Sequence, residues 1–435
     1  MPIYAVGAVI VAALGGFLFG YNTAIIAGAL LFIKEQFHLD PQMQGWTVSI
    51  ILLGALIAAM ITGSLADRFG RRRTILLSAL LFILGAILVA RAPDNAMFMW
   101  GRFITGLGVG LVSVVAPMYL SEISSAKHRG SIVAIYQLAI TIGILVAYGS
   151  NYAFASSENG WRMMMVWGAA PAVLQLLLSS YLPESPRWLL GMGKETKAHE
   201  VVKKLHLREL LEEKISTEKR SRWAALFATP SIRWAFFVGI ILAIFQQITG
   251  INAVIYYAPD IFQLVGFPSN ESAILATVGI GGINVIATVF AVWLLDKVGR
   301  RMLLLVGLCG MTIALACISL AFYIKSPGIN TISMVALMGY VAFFAIGLGP
   351  VTWVILSEIY PLSVRGKAMS VATLVNWLFN YLLALTFIDI VNWFGTGMTF
   401  LGFAVLCVIC FFFVLKIPET KGKKLGEIQK LFSKT

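Results

Sequence analysis

Twelve stretches of this chain are long and apolar enough to cross a bilayer, and nothing else in it constrains the fold as strongly. They lie at about 4–33, 46–66, 74–91, 97–122, 129–153 and 162–182. After a polar interval they resume at about 234–263, 272–295, 301–322, 331–358, 366–389 and 396–417. Hydrocarbon offers no water to a backbone, so each stretch must satisfy its own N–H and C=O groups as a helix. Nothing shows the short alternating segments of a membrane barrel. The expected fold class is an all-α membrane protein with twelve transmembrane helices. Charge agrees: 12% of the residues are charged, against about a quarter in a soluble chain. The first stretch, roughly 30 residues without a basic leader, reads as a span and not as a cleaved signal.

The net charge of +13 invites a nucleic-acid reading, which the placement of the charges excludes. Of 33 Lys and Arg, 28 fall in one alternating set of connections. These are Arg68 to Arg73, Lys127 with Arg129, Arg187 to Arg233, Lys297 to Arg301, Arg365 with Lys367, and the tail from Lys416. That asymmetry predicts both termini on the cytoplasmic side of the plasma (inner) membrane. Cys309, Cys317, Cys407 and Cys410 all lie inside apolar runs. The C-x2-C at 407–410 has no second pair or His cluster, so the cysteines read as packing and no metal is expected.

The chain is duplicated. DRFGRRR at 67–73 returns as DKVGRRM at 296–302, an offset of 229 residues. SEISSAKHRG at 121–130 returns as SEIYPLSVRG at 357–366, and PESPR at 183 as PETKG at 418. Three motifs in one order at nearly one spacing mean a repeated six-helix unit. The expected domains are an N-terminal half at 1–189, a cytoplasmic amphipathic helical linker at 190–233 and a C-terminal half at 234–435 with a short tail. Six is even, so both copies enter the membrane from the same side, an arrangement of alternating-access transporters.

These motifs, with PESPRWLL, FQQITGINAVIYY and GLGPVTWVILSEIYP, resemble the sugar porter family of the major facilitator superfamily. The resemblance covers essentially the whole chain and extends to facilitative glucose transporters and bacterial sugar–proton symporters. It implies twelve helices in two halves with a cytoplasmic helical linker, and a monosaccharide bound at mid-depth. It also implies a carrier that works as a monomer in the lipid bilayer, with no cofactor, no catalytic residue and no enzymatic activity.

A sugar needs neutral donors and acceptors plus a flat apolar surface for its C–H face. This chain places amides where lipid would penalise them: Gln137, Gln246, Gln247, Asn252, Asn284 and Asn376, with Trp353 and Trp377 beside them. One such amide alone suits helix-to-helix bonding. Three around the glycine of FQQITGIN point to a ligand. By resemblance these residues and Tyr256 are sugar-contacting positions. Ile144, two turns from Gln137, resembles the apolar residue of glucose transporters where xylose symporters carry glutamine, which favours a hexose. Gly106 and Gly110 of GLGVG lie inside an apolar run with no strand before them, so they read as a close-packing GxxxG face rather than a dinucleotide loop.

The resemblance also assigns charges at the cytoplasmic edge. Glu122 and Arg129 are expected to pair with Glu358 and Arg365 across the halves when that side is closed. Asp67 with Arg71 and Arg72, and Asp296 with Arg300 and Arg301, are expected to brace each half. Proton-coupled relatives carry a carboxylate at the position of Asn22, near an arginine matching Arg102. An amide has no accessible pKa, so the expected mechanism is a passive facilitator. The alternatives are a sugar–proton symporter, native or with an engineered Asp-to-Asn change at 22, and, from another class, a membrane sugar sensor. Sensors carry long cytoplasmic tails, whereas this chain ends about fifteen residues after PETKG. A drug or organic-acid carrier is the rival within transport, and an acid would need more midplane cation than Arg102 alone.

Overall fold

The computed structural model describes residues 3–124, 129–205, 223–324, 328–423, 427–428 and 431. Among them the chain is helical with no strand. It divides into two compact units, one of Met1–Leu39 with Trp46–Ser216 and the other of Asp40–Gly45 with Thr217–Thr435.

The first unit holds α1 (Ile3–Ala24), α2 (Ile26–Gln36), α3 (Pro41–Phe69) from Trp46 onward, α4 (Arg71–Ala90), α5 (Asn95–Glu122), α6 (Arg129–Phe154), α7 (Gly160–Trp167), α8 (Ala169–Ser179), α9 (Pro186–Gly191) and α10 (Glu195–Leu205). The second holds a 3-10 turn (Trp223–Phe227), α11 (Pro230–Ile248), α12 (Ile251–Leu264), α13 (Asn270–Val298), α14 (Arg300–Ile324), α15 (Ile329–Ile346), α16 (Leu348–Ile359), α17 (Leu362–Phe394) and α18 (Thr396–Leu415). The expected linker lies partly outside the described residues; within its described parts, α10 buries Ala198, Val202 and Leu205.

Among the described residues, twelve helical spans are long and apolar enough to cross a membrane, from Val6–Gln36 to Thr396–Leu415. Four are interrupted: the first at Ile25, the sixth at Gly168, the seventh at Thr249–Gly250 and the tenth at Gly347. Apolar length alone predicts continuous helices there, because hydropathy does not register a broken backbone ladder. At the seventh, Gly250 takes φ +102°, which a residue with a Cβ rarely adopts. Tyr340 donates its hydroxyl proton to the freed Thr249 carbonyl at 2.9 Å. Packing elsewhere is close. A Cβ on Gly106 or Gly110 would meet the backbone of Ile51 or Ala55 at 2.1 and 2.3 Å, so the GxxxG face brings α5 onto α3.

Candidate functional site

In the second unit the amides form one hydrogen-bonded chain. Asn252 Nδ2 donates to Gln247 Oε1 at 2.6 Å, and Gln247 Nε2 donates to Asn376 Oδ1 at 3.1 Å. Asn376 Nδ2 donates to Gln246 Oε1 at 2.7 Å and to the Ala243 carbonyl at 3.0 Å. Gln246 Nε2 ends the chain on the carbonyls of Leu348 and Gly349, both at 3.0 Å. Those two carbonyls belong to the first two residues of α16, just past the interruption at Gly347.

Counting donors separates the roles. Gln246 and Asn376 each spend both amide protons inside the protein. Gln247 retains one, and the Asn252 oxygen accepts from no described residue. The spare hydrogen-bonding capacity of this cluster therefore lies with Gln247 and Asn252, and Asn376 and Gln246 back them. Tyr256 pairs with Asn380, donating to Oδ1 at 3.3 Å and accepting from Nδ2 at 3.2 Å. Trp377 is buried beside Asn376 and Trp353 is half-buried on α16. Asn284 is buried on α13, outside this chain of bonds, and its amide hydrogen-bonds to no other described residue.

In the first unit, Gln137 and Ile144 lie on α6, half-buried and buried respectively. Gln137 bonds to no other described side chain or backbone group. Asn22 is 8% exposed on α1 and donates Nδ2 to the Leu18 carbonyl one turn back at 2.9 Å. Arg102, 1% exposed, donates Nη1 to the backbone carbonyl of Asn22 at 2.7 Å. The two positions meet, but the arginine holds the main chain of residue 22.

At the ends of α4 and α14 the repeat appears as chemistry. Glu122 grips Arg71, with Oε1 2.9 Å from Nη2 and Oε2 2.9 Å from Nε. Arg71 Nη1 also reaches Asp67 Oδ1 at 3.2 Å. In the second unit Arg300 Nη2 lies 2.9 Å from Glu358 Oε1, and Glu358 Oε2 accepts from Thr420 Oγ1 at 2.6 Å. Both glutamates, expected to pair across the halves, are engaged with an arginine of their own unit. Arg72, expected on Asp67, instead donates to the carbonyls of Ser179 and Ser180. Arg301 likewise turns to the Leu415 carbonyl. Each of these carbonyls ends a helix, where unpaired acceptors attract a cation more cheaply than an exposed aspartate does. Arg365 Nε donates to the Tyr360 carbonyl at 3.2 Å. The side chains of Arg129 and Asp296 lie outside the described residues.

Two carboxylates complete these clusters and received no role from the sequence, although both stand in quoted motifs. Glu184 of PESPR accepts from the backbone N–H of Arg71 at 2.9 Å and of Arg72 at 3.2 Å. Glu419 of PETKG accepts from those of Arg300 and Arg301, both at 3.0 Å. Each caps the N-terminus of a helix far away in sequence, where a negative charge is favourable. Gly70 and Gly299 precede these helices with φ of +95° and +107°. A Cβ on Gly70 would lie 2.2 Å from Glu184 Oε2. The glycine of D-x-x-G-R-R is thus required twice, for its backbone angle and for the carboxylate's space. The matching repeat positions of Glu184 and Glu419 were the available signal.

Burial raises the Glu419 carboxyl, but the N–H groups of Lys421, Arg300, Arg301 and Thr420 outweigh it and hold the pKa below the usual range. A depressed folded pKa adds stability that is complete above the unfolded value, about 4.3. It is lost as pH falls through the lower folded value. Glu419→Gln is therefore expected to lower the melting temperature in detergent at neutral pH, with the gap to wild type closing as the solution is acidified below that range. A gap unchanged by acidification would show that the carboxylate's charge contributes nothing.

The fold and these polar clusters define a multi-pass membrane transporter. A family model described as Sugar (and other) transporter matches residues 8–432. The D-xylose transporter of Levilactobacillus brevis is 41% identical over 429 residues, 96% of this chain and 93% of that protein. The glucose transporter GlcP of Staphylococcus epidermidis is 41% identical over 432 residues, 97% of this chain and 95% of its own. Among solved structures, the proton:xylose symporter XylE of E. coli, bound to 6-bromo-6-deoxy-D-glucose, superposes with a TM-score of 0.81 at 34% identity, covering 99% of each chain. The chain belongs to the sugar porter family of the major facilitator superfamily.

Proposed function

We propose that this sugar transporter carries a glucose-like hexose passively, as a monomer with both termini in the cytoplasm. The sugar is taken up by Gln247 and Asn252, with Gln246 and Asn376 behind them and Gln137, Ile144, Tyr256, Asn284, Trp353 and Trp377 as further contacts. The observation that carries the passive reading is Asn22, a buried amide bonded to its own helix where coupled relatives need an acid. Coupling requires a group whose charge changes between the two faces of the cycle, and an amide does not titrate. A hexose is supported by Ile144 and by the glucose transporter among the relatives. The Lys and Arg distribution supports the orientation.

A second reading rests on the relatives: XylE is a proton symporter, so a carboxylate other than residue 22 would couple protons here. One experiment decides between the two. Purified protein in liposomes is given labelled D-glucose, D-galactose, D-xylose or L-arabinose, with and without an imposed proton gradient. The expected result is equilibration of a hexose down its own gradient, without accumulation and with little change between about pH 5.5 and 8, where no unperturbed Asp, Glu, Lys or Arg titrates. Accumulation that collapses with a protonophore would overturn the passive reading. Failure to carry any of the four sugars would overturn the substrate.

A further inference from the structure

The interruption of the first span is built by two other helices. Ile25 separates α1 from α2. Across it, Ile25 N–H still reaches the Tyr21 carbonyl at 2.9 Å and Ala29 N–H the Ile25 carbonyl at 3.4 Å. The ladder bonds from Ile26 to Asn22 and from Gly28 to Ala24 are missing, which is what leaves Ile25 outside both helices. Buried backbone groups must find partners, and side chains supply two. Arg102 of α5 takes the Asn22 carbonyl. Asn151 of α6, 1% exposed, faces the other side of the break. Only one orientation of its amide pairs both of its atoms. In that orientation Nδ2 donates to the Ile25 carbonyl at 3.1 Å and Oδ1 accepts from Gly28 N–H at 2.9 Å.

Gly28 is what lets Asn151 in. A Cβ there would lie 2.5 Å from Asn151 Cγ, so any larger residue would displace the amide. No proline causes this break and the backbone of Gly28 has no unusual φ. The glycine serves approach. The second unit also breaks its first span, at Thr249–Gly250, where Tyr340 caps the freed carbonyl, and the repeat spacing of 229 to 236 residues carries Ile25 onto a second kink in that span, at Tyr257 just before Pro259. In both units the first span is interrupted beside its candidate site and a later helix bonds the freed carbonyl.

We propose that Asn151 is a positioning residue for transport: with Gly28 it holds the first span open between Asn22 and Gly28, giving the first unit a hinge within its first span, as the second unit has within its own. The proposal takes sugar transport as given, and its first measurement needs no sugar. In purified full-length protein, Asn151→Leu removes the bonds while keeping the same number of side-chain heavy atoms and the same branch point. Hydrogen–deuterium exchange at Gly28 is expected to quicken by about tenfold or more, with Leu30 to Ile33 unchanged. Equal protection of Gly28 would overturn the proposal.

The second measurement separates a hinge from a mere packing contact. Asn151→Ala with Gly28→Ala makes room for the new Cβ and favours a continuous helix. This double variant is expected to melt at or above the wild-type temperature. Exchange of whichever of the four sugars the wild type carries fastest is expected to slow by about tenfold or more. Wild-type exchange in the stable double variant would overturn the hinge. If it does not fold, the exchange rate of Asn151→Leu is read instead against the same two outcomes. A protein that carries none of the sugars fails the substrate reading and leaves the Gly28 result to decide this one.

Discussion

Replacing Asn376 by alanine is expected to weaken sugar binding about ten- to a hundredfold, the equivalent of one or two buried hydrogen bonds. Asn376 need not touch the sugar for this. Its amide holds Gln247 through Oδ1 and Gln246 through Nδ2. Without it, Gln247 must be ordered by the ligand at the moment of binding, and that ordering subtracts from affinity. Gln247→Ala is expected to cost a similar amount by removing outright the amide proposed to contact the sugar. Gln246→Ala should instead act mainly on stability, because Gln246 bonds Asn376 and the Leu348 and Gly349 carbonyls but neither Gln247 nor Asn252. Titration of the purified variants with the transported sugar, alongside their melting temperatures, tests the division. Unchanged affinity in both Asn376→Ala and Gln247→Ala would remove the seventh span from the site.

The second large effect is expected at Arg71. Its side chain and that of Glu122 are 10% and 11% exposed, so Arg71→Leu leaves a carboxylate almost buried without its guanidinium. Breaking such a pair costs about 3–5 kcal/mol. Replacing both partners by leucine should recover most of that, since the desolvation penalty disappears with the charge. Arg300→Leu is expected to cost less. Glu358 is more open, at 24%, and keeps Thr420 as a donor. Melting temperatures of Arg71→Leu, Glu122→Leu, the double variant and Arg300→Leu give the comparison. An Arg71→Leu protein as stable as wild type would show that the cluster is not a brace.

Much of the fold was legible because lipid is a severe solvent. A bilayer accepts only backbones that satisfy themselves, so twelve apolar runs become twelve spans whatever else the chain does. The duplication was legible from motif spacing. The amides of FQQITGIN stood out because a polar group costs free energy in that setting. The partners were not legible. Glu122 could be seen at a helix end, but its binding of Arg71, 51 residues away, depends on how α4 and α5 pack. Glu184 lies 113 residues from the N–H it caps, and no local pattern links them.

The sequence by itself determined the spans, their number, the two-fold repeat and the chemical character of the site, since these follow from local composition and periodicity. Tertiary structure alone decided which amide orients and which remains open, and that Arg102 holds a carbonyl of residue 22. It also decided that the first span breaks at Ile25, where the apolar run is continuous and no proline intervenes. The physical reason is the same in each case. A hydrogen bond is chosen by distance and direction between groups on different helices, and hydropathy carries neither.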